Sequence, residues 1–386
     1  MRVDGKIYAD YQATTPTDPI VLKAMLPYFM NDFGNPHSNE HSWGWQAEDA
    51  VNKSTKLITN LIGADCDEIV YTSGATESNN LDILGSLRKS PKRKKILVSS
   101  IEHKSILAIG REFPHKNNIE FISVPVTSQG AIDLQFIEDQ LDENTLMVSI
   151  GAVNNEIGTI QPISDIGAMT TKYGAYFHCD AAQAPCTMDI DVFESNIDFL
   201  SLSAHKIYGP KGIGALYIKR GLASNIEPLL FGGGQQNGLR SGTLPVPLCV
   251  GFGKAAELLQ NNLKQSERLK VQLIRNHFIQ DLINYGVRFK LNGPTENSKR
   301  HAGNCNIIVN DIDAHDLIAT LQPNVAISSG SACTSGSPEP SYVLTAIGLS
   351  KEEAASSIRV SFGRFSTYED AQDIAKLISD NIRLLS

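Results

Sequence analysis

A single lysine, Lys206, stands between an apolar run and a glycine-rich turn in the segment Ser201-Leu-Ser-Ala-His-Lys-Ile-Tyr-Gly-Pro-Lys-Gly-Ile-Gly214. A lysine amine attacks a carbonyl only in its unprotonated form, so an imine-forming lysine needs a site that lowers its pKa. A lone lysine after a strand is more often a solvated surface charge. The segment therefore predicts an imine-forming lysine only if other residues supply a cofactor pocket.

Two further segments supply groups that such a pocket needs. Asp180 follows the apolar run that begins at Ala175, at the carboxyl end of a predicted parallel strand, where α/β sheets bind ligands. A carboxylate there keeps the nitrogen of a pyridine ring protonated. The turn Ser73-Gly-Ala-Thr76 enters a predicted helix whose first N–H groups can bind phosphate, although an ordinary helix cap is the alternative. With Lys206, these segments predict a site for a phosphorylated pyridine aldehyde.

Eight motifs, in chain order, carry a resemblance to a known family. They are Gly34-Asn-Pro36, Thr72-Ser-Gly-Ala-Thr-Glu-Ser78, Glu102-His-Lys104, Asn154-Asn-Glu-Ile-Gly158, Ala204-His-Lys-Ile-Tyr-Gly-Pro-Lys-Gly212, Arg240-Ser-Gly-Thr243, Ser328-Ser-Gly-Ser-Ala-Cys-Thr334 and Ser357-Ile-Arg-Val-Ser-Phe-Gly-Arg364. The chain closely resembles the class I cysteine desulfurases, the nitrogen-fixation and iron–sulfur-assembly type of the pyridoxal-phosphate-dependent aminotransferase class V family. The match runs from about Tyr8 to Arg364.

The resemblance implies a role for each matched position. Lys206 would form the imine with pyridoxal 5'-phosphate, Asp180 would face the ring nitrogen, and His103 would stack on the ring and shuttle protons. The other expected cofactor contacts are Ala75, Thr76, Asn155, Gln183 near the ring hydroxyl, Ser203, His205 and, from the neighbouring subunit of a homodimer, Thr243. The residues expected to bind the substrate are Asn35, Asn155 and Arg359, the arginine because its planar fork meets both carboxylate oxygens.

Cys333 is the second predicted chemical centre. It lies in a stretch of small and turn-forming residues, about 326–340, which predicts a mobile loop with an exposed thiol. The resemblance implies that this thiol takes sulfur from L-cysteine as a persulfide. The remaining cysteines show no metal-ligand spacing and are predicted to pack in the fold, so no metal site is expected: Cys66, Cys179, Cys186, Cys249 and Cys305.

The length and pattern of the chain predict two domains. Short apolar runs alternate with helical patterns, which predicts an α/β fold with a mostly parallel seven-stranded sheet; the runs are Glu68 to Thr72, Lys95 to Ser99, Ile119 to Val124, Leu146 to Val153, Ala175 to Cys179, Phe199 to Ser203 and Gly214 to Ile218. The resemblance implies that this is the pyridoxal-phosphate-dependent transferase fold of type I. A helical stretch from about 248 to 283 leads into a smaller α+β part. We expect a large cofactor-binding domain over residues 13–259 and a small domain, carrying the Cys333 loop, formed by residues 1–12 and 260–386.

Composition limits the partners that the chain is expected to bind. A net charge of -8 argues against general affinity for nucleic acid, and the basic run from Arg88 to Lys95 is short enough to be a solvated turn. No apolar stretch is long enough to span a bilayer, and no signal peptide is recognisable. Six cysteines without a paired pattern favour a reducing compartment, so we expect a cytoplasmic protein without membrane contact.

The resemblance, together with the residues that carry it, implies a cysteine desulfurase that releases L-alanine and passes the Cys333 sulfur to an acceptor protein. The expected acceptor belongs to iron–sulfur assembly or to a sulfur modification system for DNA or tRNA. Three alternatives stay open: a selenocysteine lyase, an aminotransferase of the same fold, and a catalytically inactive sulfur-relay scaffold. The intact Lys206, Asp180, His103 and Arg359 argue against the inactive scaffold.

Overall fold

The computed structural model describes residues 1–113, 119–260, 263–329 and 340–385 of the 386-residue chain. The strands are β1 Arg2–Val3, β2 Lys6–Tyr8, β3 Ile69–Thr72, β4 Lys95–Ser99, β5 Glu120–Val124, β6 Thr145–Ser149, β7 Tyr176–Asp180, β8 Phe199–Ser203, β9 Gly214–Ile218, β10 Phe289–Leu291, β11 Asn304–Val309, β12 Val325–Ala326 and β13 Ser357–Ser361. The α-helices are α1 Pro19–Met25, α2 Pro27–Met30, α3 Ser42–Ile62, α4 Ala75–Lys89, α5 Lys104–Glu112, α6 Leu134–Gln140, α7 Ile163–Tyr173, α8 Val246–Gln260, α9 Leu263–Asn284, α10 Ala314–Leu321, α11 Tyr342–Ala346, α12 Lys351–Ala355 and α13 Tyr368–Leu385.

A seven-stranded sheet in the order β3-β9-β8-β7-β6-β4-β5 organises the larger part of the chain. The pairs β4–β5, β4–β6, β6–β7 and β7–β8 are parallel, whereas β9 runs antiparallel to both β3 and β8. Every residue of β4, β6, β8 and β9 is buried, as expected for strands that helices cover on both faces. The predicted α/β fold with a mostly parallel sheet is confirmed.

Two predicted elements differ from those in the structure. The apolar run predicted as one strand from 146 to 153 is shorter as a regular strand, because β6 ends at Ser149. The N–H groups of Ile150 and Ala152 still donate to the carbonyls of His178 and Asp180, and the chain turns only at Asn154, whose N–H donates to the Thr159 carbonyl. The helical stretch predicted from 248 to 283 is two helices, α8 and α9, whose junction at residues 261–262 lies outside the described residues. Helix α8 packs extensively against α3, and α9 packs against α13.

A smaller three-stranded sheet, β10-β11-β13, presents opposite chemistry on its two faces. In its antiparallel register Asn304 pairs with Ser361 and Asn306 with Arg359, so these side chains share one face. The intervening residues Cys305, Ile307, Ile358 and Val360 belong to the apolar core packed against α9 and α13. The polar face therefore turns toward the larger part of the molecule.

The N-terminal strands β1 and β2 join β12 in a separate three-stranded sheet, in which β2 and β12 are parallel. Directly after β2, Asp10 forms a bridge with Ser361, and the chain continues through Gln12 into the larger part. Residues 9–15 thus run along the junction between the two main sheets. Among the described residues, no helix is both long and apolar enough to cross a membrane.

Candidate active site

A cavity of about 610 Å³ lies at the edge of the large sheet where β7 and β8 end, beneath the polar face of β13. Its position follows the rule that open α/β sheets bind ligands beyond the carboxyl ends of their strands. Ten of the residues predicted from the sequence to form the site line this cavity: Ala75, Thr76, His103, Asn155, Asp180, Gln183, Ser203, His205, Lys206 and Arg359.

Lys206 occupies a short 3-10 turn that follows β8, and it is half-buried. Its Nζ donates hydrogen bonds to the main-chain oxygens of Gln12, at 2.6 Å, and Ala13, at 2.9 Å. Both acceptors belong to residues 9–15, which run along the junction between the two main sheets. Neutral carbonyls therefore hold the amine over the cavity. These two contacts fix the position of the amine beside the cavity.

Asp180, the last residue of β7, is held by two donors. The Asn79 amide donates to Oδ2 at 2.8 Å, and the Ala182 N–H donates to Oδ1 at 2.9 Å. Asn79 also donates to the Ser105 hydroxyl at 2.9 Å, and that hydroxyl lies 2.8 Å from Nδ1 of His103. One buried amide therefore positions both the carboxylate predicted to face the ring nitrogen and the imidazole predicted to stack on the ring.

The same contacts determine the tautomer of His103. This residue caps the N-terminus of α5, and its Nδ1 accepts a hydrogen bond from the Ser105 N–H at 3.2 Å. A ring nitrogen that accepts from this N–H carries no proton, so the Ser105 hydroxyl, 2.8 Å from the same nitrogen, donates to it as well. The neutral imidazole then carries its proton on Nε2. His103 can therefore exchange a proton with a ligand through Nε2 while Nδ1 stays anchored.

The turn before α4 forms a cradle beside the cavity. Gly74 has φ 151°, a conformation that side-chain-bearing residues rarely adopt, and a Cβ at this position would point to within 3.8 Å of the Ser203 hydroxyl. A Cβ at Gly214 on β9 would meet Gly74 Cα at 2.7 Å, so this strand also needs glycine. The α4 N-terminus, with exposed Thr76 and buried Ser203, thus offers N–H and hydroxyl donors to an anion.

His205 and Lys211 complete the electrostatics of this cradle. Burial and the neighbouring Lys206 and Lys211 lower the pKa of His205 to about 4, so the ring is neutral at physiological pH. Its Nδ1 lies 3.0 Å from the Thr14 hydroxyl. This donor set shares one cavity with the Lys206 amine and the Asp180 carboxylate, a combination that fits pyridoxal phosphate. The α4 N-terminus would hold the phosphate, Asp180 would face the ring nitrogen, and Lys206 would bind the aldehyde carbon.

Arg359 extends from β13 and is almost completely buried, with 1% of its surface exposed. Its Nη1 donates to the Asn155 main-chain oxygen at 2.7 Å, and its Nη2 forms an ion pair with Asp10 at 2.7 Å and contacts the Ser328 hydroxyl at 3.3 Å. Its Nε has no hydrogen-bond partner among the described residues. This leaves a donor for a carboxylate that enters the cavity between Arg359 and the sheet edge.

Glu102 lines the cavity next to His103, although no chemical pattern in the sequence assigns it a role. It is 5% exposed, and its Oε1 accepts from the Gly151 N–H at 2.5 Å. Burial, with a contribution from the nearby Asp180, raises the pKa of Glu102 to about 8. The carboxyl is therefore mostly protonated at neutral pH, which avoids placing a second negative charge beside Asp180.

Three predicted site residues are not brought to this cavity by the described part of the chain. Asn35 is exposed, and its side chain accepts a hydrogen bond from the His37 N–H. Thr243 is also exposed, in keeping with an expected role across a subunit boundary. Cys333 lies in the segment 330–339, outside the described residues.

The residues flanking that segment do reach the site. Ser328 exchanges main-chain hydrogen bonds with Arg359 and donates from its hydroxyl to Asp10 at 2.8 Å. On the other side, the Tyr342 hydroxyl donates to the Glu102 main-chain oxygen at 2.6 Å. Both ends of the segment that carries Cys333 are thus attached to residues lining the cavity.

Comparisons with known proteins identify the family of the chain. The family model described as aminotransferase class-V matches residues 7–374. The chain is 45% identical over 384 residues to the cysteine desulfurase IscS of Rickettsia typhi, covering 98% of this chain and 92% of that protein.

Two solved structures are similar as well. A NifS-like protein superposes with a TM-score of 0.90 at 30% identity, covering 98% of this chain and all of that one. A structure described as SspA in complex with cysteine superposes with a TM-score of 0.79 at 38% identity, covering 94% of this chain and all of that one. The chain belongs to the class-V aminotransferase family and, within it, to the pyridoxal-phosphate-dependent cysteine desulfurases.

Proposed function

We propose that the cavity bounded by Lys206, Asp180, His103 and Arg359 takes sulfur from L-cysteine and that Cys333 receives it. The observation that carries the proposal is the convergence of these four side chains on one cavity of about 610 Å³, flanked by both ends of the Cys333 segment. The cysteine bound to the similar SspA structure supports the choice of substrate. The net reaction is L-cysteine plus the Cys333 thiol giving L-alanine plus a Cys333 persulfide.

The substrate carboxylate binds at Arg359 and Asn155 in this proposal. The guanidinium is buried, is held on one side by Asp10 and the Asn155 main chain, and keeps its Nε for a ligand. A buried arginine interacts strongly with a carboxylate because little water competes for either group. Asn35, which lies outside the cavity of the single chain, would reach the substrate only after its exposed loop is rearranged or covered by a second subunit.

The cofactor is held by the residues that line the cavity on the large sheet. Ala75, Thr76, Ser203 and His205 would bind the phosphate, Asp180 and Gln183 the ring, and Lys206 the aldehyde carbon. When bound, pyridoxal phosphate supplies an electron-withdrawing ring that accepts the electron pair of the substrate Cα–H bond. Asp180, fixed by Asn79 and Ala182, sustains this property because its negative charge keeps a proton on the ring nitrogen.

Two side chains move protons. Lys206 would accept the Cα proton of the substrate at Nζ and return it, with the carbonyls of Gln12 and Ala13 accepting hydrogen bonds from its ammonium form. His103 donates and accepts at Nε2, because Nδ1 is held by Ser105. The neutral Glu102 beneath the site adds no charge that would hold the imidazole in its protonated form.

The Cys333 thiolate forms an S–S bond with the substrate sulfur while the C–S bond of the substrate breaks. The electron pair of that bond goes to the carbon skeleton, which gains a proton and leaves as L-alanine. Attachment of Ser328 to Arg359 and of Tyr342 to Glu102 holds both ends of the segment near the cavity. The sulfur on Cys333 then passes to an acceptor protein.

The proposed assembly is a homodimer in the cytoplasm. Arg240 forms an ion pair with Glu77 at 2.8 Å, which fixes the segment leading to exposed Thr243 beside the phosphate cradle. Exposed aromatic side chains, among them Trp43, Trp45 and Phe231, offer apolar surface for a second subunit. We retain residues 13–259 as the cofactor-binding domain and the rest of the chain as the domain that carries Cys333.

The acceptor is proposed to be a protein of iron–sulfur assembly or of DNA or tRNA sulfur modification. The function is tested by incubating the purified holoenzyme with L-cysteine labelled at sulfur and with candidate acceptor proteins. The account predicts equal amounts of L-alanine and protein-bound labelled sulfur. Transamination of keto acids without sulfur release would instead assign the site to an aminotransferase.

A further inference from the structure

Gln12 lies at the junction of the two main sheets and is 1% exposed, yet it lines the cavity. Its main-chain groups are fully engaged. The N–H donates to the Ser361 hydroxyl at 3.1 Å, and the carbonyl accepts from Lys206 at 2.6 Å and from Gln183 at 2.8 Å. The backbone of Gln12 is thus fixed between the imine-forming lysine and the strand that carries Arg359.

The orientation of the Gln12 amide follows from a chain of buried hydrogen bonds that begins at an arginine. Arg300 can only donate, and its Nη1 lies 2.6 Å from Oδ1 of Asn304. The Asn304 nitrogen must then be Nδ2, which donates to the Glu156 carbonyl at 2.9 Å and to Oε1 of Gln12 at 2.6 Å. Because Oε1 of Gln12 faces Asn304, Nε2 of Gln12 points away from this series of hydrogen bonds.

The remaining donor, Nε2 of Gln12, is buried and has no hydrogen-bond partner among the described residues. Buried amide groups are nearly always hydrogen-bonded, because burial removes their hydrogen bonds to water and leaving them unpaired costs free energy. Every other polar atom of Gln12 has a partner in this chain. An orphaned donor in a residue that lines a ligand cavity therefore indicates that the ligand supplies the acceptor.

The position of Gln12 indicates which group of the ligand accepts a hydrogen bond from its Nε2. Ser361, which binds its N–H, and Arg359 lie two residues apart on β13, so they share the polar face of that strand. Asn304, which binds its Oε1, is the register partner of Ser361 on the same face. The Gln12 side chain therefore belongs to the face that presents Arg359.

We propose that Gln12 is a further substrate-binding residue, whose Nε2 donates to the carboxylate of the amino-acid substrate alongside Arg359. The inference rests on the proposed function, in which Arg359 binds that carboxylate. The alternative acceptor is an oxygen on the cofactor ring, because the Gln12 carbonyl contacts Lys206 and Gln183, two residues proposed to bind the cofactor. The face that it shares with Arg359 favours the substrate.

The substitution Gln12→Glu isolates the donor, because the new side chain keeps an oxygen for Asn304 and replaces only the nitrogen. The holoenzyme is titrated with L-alanine and with cysteamine, which is L-cysteine without its carboxylate, while the absorbance of bound pyridoxal phosphate is followed. The dissociation constant for L-alanine is expected to rise at least about tenfold, as for loss of a hydrogen bond to a charged group. The dissociation constant for cysteamine is expected to change by less than about twofold, because cysteamine has no carboxylate to accept a hydrogen bond from Gln12.

A second variant, Asn304→Asp, tests the orientation argument at a residue that does not line the cavity. The new carboxylate still accepts from Arg300, but it can no longer donate to Gln12. The Gln12 amide is then expected to turn its nitrogen toward residue 304, which withdraws the donor and weakens L-alanine binding in the same way. If Gln12→Glu does not fold, Asn304→Asp and Gln12→Met carry the same comparison.

Two results would overturn the inference. Unchanged L-alanine affinity with faster loss of pyridoxal phosphate on dialysis would place the acceptor on the cofactor. Unchanged affinity for both ligands and unchanged cofactor retention would show a structural role only. Arg359→Lys separates these failures from failure of the proposed function: weaker L-alanine binding in that variant confirms the carboxylate site, whereas unchanged binding would remove the premise on which Gln12 depends.

Discussion

The carboxylate of Asp10 lies 2.7 Å from Nη2 of Arg359 at the junction of the N-terminal segment and β13, where the arginine side chain is buried and the aspartate side chain is 14% exposed. The Ser328 hydroxyl donates to the other oxygen of the same carboxylate at 2.8 Å. Asp10 thus joins the arginine proposed to bind the substrate to the residue from which the Cys333 segment departs. The charge balance of the substrate site and the anchoring of the sulfur-carrying segment depend on one carboxylate.

Asp10→Asn is expected to destabilise the fold and to lower affinity for L-cysteine. The substitution leaves the Arg359 guanidinium without its countercharge, at a cost of about 1.5–3 kcal/mol for a hydrogen bond to a charged group. Denaturant unfolding of the cofactor-free protein measures the stability, and steady-state KM measures the affinity. Asp380→Asn, at an exposed position on α13, serves as the matched control. Equal stability of the two variants would contradict a structural role for the Asp10–Arg359 pair.

Asn79→Ala is expected to lower kcat about tenfold or more with little change in KM. The substitution removes donors from Asp180 and from Ser105, and it thereby loosens both the carboxylate and the imidazole that handle the protons. Alanine formation over a range of L-cysteine concentrations separates the two constants. Asn225→Ala, which removes a hydrogen bond to Tyr176 away from the cavity, is the control. A rise in KM alone would assign Asn79 to substrate binding instead.

Glu102→Gln is expected to change how stability depends on pH. The folded-state pKa of Glu102 is raised from 4.5 to about 8 by burial and by Asp180, so between these values the unfolded chain releases a proton that the folded chain keeps. Stability of the wild type therefore falls as pH rises through this window.

The amide introduced by Glu102→Gln imitates the neutral acid, so the variant lacks this fall in stability. Relative to wild type, the variant should gain stability between pH 5 and pH 8, by on the order of 1 kcal/mol or more. Urea unfolding of both cofactor-free proteins at several pH values measures the difference. A constant difference across the range would show that Glu102 is already ionised in the fold.

Glu77→Gln is expected to weaken retention of the cofactor. Burial acts to raise the pKa of Glu77, but hydrogen bonds from Arg240 and from Ser73 outweigh it and lower the pKa below 4.5. The stabilisation by this ionised carboxylate is therefore present above about pH 4.5 and is lost as the pH falls through the folded-state pKa. At neutral pH the variant loses an ion pair that holds the turn before α4 against the segment leading to Thr243.

Dialysis of the holoenzyme, followed by absorbance of the retained pyridoxal phosphate, measures this effect. Glu77→Gln should release the cofactor several-fold faster at pH 7, and the difference from wild type should shrink in acid, as the wild-type carboxylate becomes protonated. Lys254→Gln, which breaks an ion pair with Glu257 on α8, is the control. Equal release by Glu77→Gln and wild type would exclude a contribution of this ion pair to the cradle.

The sequence predicted the large sheet and much of the site because both follow local rules. Apolar runs of strand length mark β4, β8 and β9 with the same bounds as in the structure, and parallel strands place the residues after their carboxyl ends at one edge. Asp180 and Lys206 are therefore found from their positions at the ends of two neighbouring strands. Arg359 and His103 entered through the family resemblance, since neither lies next to Lys206 in the chain.

The polar network around these groups could not be predicted in the same way. Asn79 contacts Asp180 across 101 positions, and Gln12 contacts Asn304 across 292, so no local pattern pairs them. Glu102 resembles any acidic residue before a helix until its burial is known. The roles of Asn35 and Thr243 remain predictions, because both lie on the surface of the single chain, and that of Cys333 remains one because its segment lies outside the described residues.

The most direct test of the account is mass spectrometry of the peptide that contains Cys333, after the holoenzyme has been incubated with L-cysteine and its thiols have been trapped by alkylation. The account predicts one additional sulfur atom on Cys333 in the wild-type enzyme and none in Lys206→Ala, which cannot remove the Cα proton. An additional sulfur on Cys333 in Lys206→Ala, or a wild-type enzyme that forms L-alanine while Cys333 stays unmodified, would contradict it.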